Sequence, residues 1–89
     1  MNQPASEIYE RVRDVVARTF GIERACITPE AGVGILEEWD SLGHLVLMLE
    51  VEREFNVRFT ADEIGAPQNV TEMCELLGAL TRRLGHGGP

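Results

Sequence analysis

Apolar residues recur at helical spacing in three separate stretches of the chain, and each stretch predicts a helix. In the first, Ile8, Val12, Val15, Val16 and Phe20 mark one face. Ser6 stands where an N-cap is expected, and Gly21 supplies a stop. Glu7 and Glu10 near the start and Arg18 near the end suit the helix dipole. In the last stretch Val70, Met73, Cys74, Leu77, Leu80 and Leu84 make a single apolar stripe. It opens on Asn69-Val70-Thr71-Glu72, a box-like cap, and residues 85–89 read as a loose tail.

The middle stretch, 41–55, is patterned differently. At about 100° per residue its apolar side chains fall into two arcs rather than one. Leu47, Met48, Val51 and Phe55 share one arc, and Leu42, Leu45, Val46 and Leu49 share the other. Glu50, Glu52 and Glu54 fall between them. A small domain packs one arc into its core, so the opposite arc is expected to face water or a partner. The expected core is Val12, Val15, Val16, Leu47, Val51, Phe55, Phe59, Leu77 and Leu80, with Met48, Met73 and Cys74 as further fillers.

Between the first two helices runs a long connection, 22–39, interrupted by Pro29, Gly32 and Gly34. A structureless loop of that length is uncommon in a compact domain. Its apolar residues, Ile22, Ile27, Val33, Ile35 and Leu36, are expected to pin it over the helices, and Thr28-Pro29-Glu30 reads as a short helical turn. After the second helix, Asn56-Val57-Arg58-Phe59 is extended, with Val57 and Phe59 on one side. Thr60-Ala61-Asp62-Glu63 is a capping box opening a helix of one or two turns, stopped by Gly65 and Pro67. The expected fold is all-α: a small up-and-down bundle of three longer helices plus one short helix. One domain spans 1–89, ordered over about 6–84.

The charge sharpens this picture. The net charge of −7 argues against nucleic acid and against an anionic membrane surface. Residues 30–75 hold eleven of the fifteen acids and two of the eight arginines, Arg53 and Arg58. The middle helix therefore stands in acidic surroundings that suit basic partners. Cys26 and Cys74 are too few and too far apart for a disulfide scaffold or a metal site, and no metal site is expected. No apolar run reaches membrane-spanning length and no signal-peptide pattern precedes the first helix, so the expected setting is cytoplasmic.

The candidate chemistry stands at the start of the middle helix. Asp40 is a good N-cap, because its carboxylate can accept from the free backbone N–H groups of the first turn. Ser41 would then be the first helical residue, with a hydroxyl not needed for capping, and an attached phosphate there is favoured by the positive end of the dipole. The local sequence equally allows Ser41 to be the cap itself, with Asp40 before it. His44 follows one turn later, but Ser and His without an orienting acid and an oxyanion hole do not make an esterase, and no catalytic residue is assigned. Trp39, before the cap, reads as a hydrophobic lid on the loop.

Asp40-Ser41-Leu42 opening such a helix, with Leu36 before it and Glu52-Arg53-Glu54-Phe55 closing it, resembles an acyl carrier protein. The likeness covers nearly the whole chain, from about Ile8 to Leu84. In that family the serine of the triplet carries a 4'-phosphopantetheine arm. The resemblance thus implies covalent attachment at Ser41, with Asp40 and Leu42 presenting it to a phosphopantetheinyl transferase. It also implies docking of acyl-loading and acyl-transfer enzymes on Leu45, Val46, Leu49, Glu50, Glu52 and Arg53. His44 would pack near the exit of the arm. The chain would be a monomeric carrier rather than an enzyme, with the chemistry supplied by the arm.

Departures from the family narrow the expectation. Positions matching Gly43, Val46 and Arg53 are usually acidic in carriers of the common fatty-acid type. Trp39-Asp40-Ser41-Leu42-Gly43-His44-Leu45 is more similar to free-standing carriers of polyketide or other specialised pathways. The absence of Lys beside eight Arg fits a GC-rich bacterial genome. Two alternatives stay open: an aminoacyl or peptidyl carrier with the same serine and arm, and a helical adaptor that docks through the Leu42/Leu45/Val46/Leu49 face with no arm. A calcium-binding adaptor is disfavoured, since no loop alternates Asp or Asn at the required spacing.

Overall fold

The computed structural model describes the backbone of residues 5–87 and the side chains of residues 6–82. Among them the order is α1 (Ala5–Phe20), a single 3-10 turn (Arg24–Cys26), α2 (Ser41–Phe55), α3 (Ala61–Gly65) and α4 (Val70–Gly87). This is the expected all-α bundle of three longer helices and a short one, with a long loop between the first two. Helix α1 packs against both α2 and α4.

The helix ends follow local chemistry. α1 already includes Ala5, so Ser6 is helical and not a cap. At its other end Gly21 takes a left-handed φ of 67° and Ile22 N–H reaches back to the Ala17 carbonyl at 3.0 Å, closing the helix as a Schellman motif. Asn56 does the same for α2 at φ 55°, with Val57 N–H on the Glu52 carbonyl at 3.1 Å. The Thr60/Glu63 capping box of α3 is formed in both directions. At α4 the Asn69 side chain accepts from Glu72 N–H at 2.8 Å. Glu72 reaches back past Asn69 to Gln68 N–H, also at 2.8 Å. Helix α4 runs through Gly85 to Gly87, where the sequence predicted a tail; residues 88–89 and the side chain of Leu84 lie outside the description.

All nine residues expected in the core are buried, together with Met48, Met73, Ile8, Ile27, Trp39, Val57 and Val70. Cys74 is half-buried against that core. Phe55 lies under the Arg11 guanidinium, 4.1 Å from the ring centroid. Arg11 and Arg18 of α1 both pair with Glu54 of α2, at 3.6 and 3.5 Å.

The 22–39 connection is held by hydrogen bonds, which answers the objection to its length. Arg13 of α1 donates to the carbonyls of Ile27 and Arg24, both at 3.0 Å. Arg24 in turn pairs with Asp14 and Glu10. Gly32 forms a single antiparallel bridge with Asn69, with Val33 N–H on Gln68 O and Val70 N–H on Ala31 O, each 2.9 Å. A Cβ on Gly32 would stand 2.2 Å from the Gln68 carbonyl oxygen, so only glycine permits this approach. Thr71 adds its N–H and hydroxyl to the Pro29 carbonyl, at 3.1 and 2.9 Å. The 3-10 helix is at 24–26, while Thr28-Pro29-Glu30 forms only a hydrogen-bonded turn, with Ala31 N–H on the Thr28 carbonyl at 3.0 Å. One sequence expectation fails here: Val33 and Ile35 are exposed rather than pinned, and Ile22, Ile27, Ala31, Leu36 and Trp39 anchor the loop.

Candidate functional site

The site is built where the long loop enters α2. Asp40 is in extended conformation (φ −102°, ψ −167°), and its Oδ1 accepts from Gly43 N–H at 2.8 Å, while its carbonyl accepts from His44 N–H at 2.7 Å. Of the two readings open in the sequence, the structure therefore takes the one in which Asp40 is the cap and Ser41 the first helical residue. Ser41 is exposed, and its hydroxyl makes no hydrogen bond with any described residue. Gly43 is the residue that permits this compact start. A Cβ there would meet the Glu38 carbonyl oxygen at 2.2 Å and the Phe20 ring at 3.2 Å.

Below the serine, α2 divides as its two arcs require. Leu47, Met48, Val51 and Phe55 are buried. Leu42 (71% exposed), Leu45 (51%), Val46 (43%) and Leu49 (58%) face outward on the opposite side. Val33 and Ile35 of the loop add two further exposed apolar side chains. They line a shallow depression of about 380 Å³ that runs past Leu36, Glu37 and Trp39 to Asp40. Glu37 and Asp40 line that depression and are exposed, as is Glu38 between them in sequence.

The charged residues expected to rim the docking face differ in their freedom. Arg53 is exposed and pairs loosely with Glu50 at 3.5 Å, an interaction that contributes little in water. Glu50, half-buried, borders a second depression of about 360 Å³ with Arg18, Thr19 and Val46. Glu52 is committed to the fold through one oxygen, which accepts from Phe59 N–H at 2.7 Å and ties the 57–59 segment to α2; Asn56, expected to be extended with it, is instead the left-handed end of α2.

One expectation near the site is corrected: Trp39 is no lid, being 1% exposed and part of the core. His44, one turn after Ser41, is 9% exposed, with Nδ1 on the Trp39 indole and Nε2 on the Ile64 carbonyl of α3. A signal for this was present, since His44 lies three and four positions before Leu47 and Met48 and so belongs to their buried arc.

Among the described residues no group of His, Cys, Asp and Glu is arranged to hold a metal ion, and no helix is long and apolar enough to cross a membrane. No protein-family model matches the chain.

Proposed function

We propose that the chain is a carrier of acyl groups, with Ser41 as the attachment point of a 4'-phosphopantetheine arm. The observation that carries this reading is the division of labour at the helix start. Asp40 does the capping, so the Ser41 hydroxyl is left unbonded and exposed at the first helical position. A phosphate linked there meets no neighbouring side chain bonded to the same oxygen, and the helix N-terminus favours its charge. The arm, when attached, supplies a thiol that holds cargo as a thioester.

The protein's own contribution is presentation and docking. Asp40 fixes the first turn, and Leu42, Leu45, Val46 and Leu49 offer an apolar surface within one to two turns of the serine. Glu37, Glu38 and Glu50 supply acidic surroundings that draw basic partner surfaces and set the rate of encounter. The partners are a phosphopantetheinyl transferase and separate acyl-loading and acyl-transfer enzymes of polyketide or other specialised metabolism. An aminoacyl cargo would use the same serine and arm, and capture of the loaded thioester separates the two cargo classes.

Incubation with coenzyme A and a broad-specificity phosphopantetheinyl transferase, followed by intact mass measurement, tests the reading. A gain of one phosphopantetheine supports it. An unchanged mass refutes it and leaves an adaptor that docks through the exposed α2 face.

A further inference from the structure

Trp39 and His44 stand on either side of the attachment residue and are bonded to each other around it. With Asp40 as cap, Trp39 is the residue before the cap and His44 the fourth helical residue. These are the two positions that a hydrophobic staple brings together to fix the angle at which a chain enters its helix. Here the staple carries a hydrogen bond. Trp39 Nε1 donates to His44 Nδ1 at 3.0 Å, with ring centroids 6.2 Å apart and planes inclined by 19°.

The indole N–H can only donate, so Nδ1 must be the bare nitrogen of the imidazole. Nε2 then carries the proton and donates to the Ile64 carbonyl at 2.6 Å. The ring is a tie with two ends, one holding the loop to α2 and the other holding α3 to α2. Phe20, at the end of α1, packs against Trp39 from behind, with centroids 5.9 Å apart. Ser41, between the two stapled positions, makes no side-chain bond of its own. The place from which its side chain projects is thus set by the backbone that cap and staple hold.

We propose that Trp39 and His44 are positioning residues for attachment at Ser41. The Nε1–H···Nδ1 bond fixes the path of the loop into α2, and with it the position from which the Ser41 side chain projects, without touching the incoming group. The inference rests on the carrier reading above. In the transfer, an Oγ–P bond forms at the β-phosphorus of coenzyme A and the P–O bond of the pyrophosphate breaks. The adenosine bisphosphate departs with the bridging oxygen, and the hydroxyl proton passes to a base of the transferase.

The two ends of the tie can be cut separately. His44→Asn places an amide oxygen near the position of Nδ1, keeping an acceptor for Trp39 and losing Ile64. His44→Gln places an amide nitrogen near Nε2, keeping the donor to Ile64 and losing the staple. Trp39→Phe keeps an aromatic ring and removes the N–H.

The experiment measures kcat and KM of arm transfer from coenzyme A by a broad-specificity transferase, with the thermal midpoint of each variant. Trp39→Phe and His44→Gln should lose about tenfold in kcat, the scale of a small misplacement of a reacting group, with KM for the carrier nearly unchanged. His44→Asn should keep most of the parent's kcat. The parent's imidazole should give the 15N signature of the Nε2-protonated tautomer. Trp39→Phe reacting as fast as the parent, all three variants losing activity in step with thermal stability, or an Nδ1-protonated ring would overturn the proposal while leaving the carrier reading intact. A parent that takes no arm at all would overturn both.

Discussion

A Cβ on Gly43 would lie 2.2 Å from the Glu38 carbonyl oxygen, so the loop and the first turn of α2 touch backbone to backbone. The same glycine's N–H caps on Asp40 at 2.8 Å. Gly43→Ala should therefore force the 37–39 turn away from the helix, although glycine is the poorer helix former. Overpacking of this kind costs about 1–3 kcal/mol. A lower denaturant midpoint for Gly43→Ala is the expected result, and a raised midpoint would show that the turn yields without strain.

The exposed arc of α2 supplies a second prediction. Leu49 is more than half exposed, and surface substitutions usually change stability by no more than about 0.5 kcal/mol. Leu49→Glu should keep helical content and thermal midpoint while slowing arm attachment or acyl loading, because the new charge must be desolvated at the contact. Unfolding of the variant would place Leu49 in the core. Full activity with both enzymes would remove the arc from the docking surface.

The faces of α2 were legible because helical periodicity alone divides Leu47, Met48, Val51 and Phe55 from Leu42, Leu45, Val46 and Leu49. The α3 capping box was legible because it is local, with Thr60 and Glu63 three residues apart. Asp40 and Ser41 were legible as a pair, and the bond to Gly43 decides which of them caps. The Trp39–His44–Ile64 tie was not, since its last partner is a backbone carbonyl that chain reversal after α2 brings near. Val33 and Ile35 were misjudged because no period governs an irregular loop. Turns, including Gly34 at φ 85°, decide which way each side chain faces.

A third prediction concerns alkaline stability. Burial pushes the Cys74 thiol up to about 11, and the neighbouring Glu75 carboxylate adds to the shift. In an unfolded chain a thiol ionises near about 8.5. Between these values the folded state keeps a proton that the unfolded state has released, so stability is full below about pH 8.5 and falls as pH rises toward 11. Denaturant midpoints taken across that window should fall less steeply for Cys74→Ala than for the parent. Parallel slopes would show that Cys74 contributes nothing to the dependence.

The most direct measurement of the carrier reading is site mapping by fragmentation mass spectrometry after incubation with coenzyme A and transferase, on the parent and on Ser41→Ala. The parent should carry a single phosphopantetheine, on the fragment containing Ser41. Ser41→Ala should carry none, and its helical circular dichroism should match the parent because Asp40, not Ser41, caps α2. An arm mapped to any other residue, modification persisting in Ser41→Ala, or a parent that takes no arm would contradict the carrier reading.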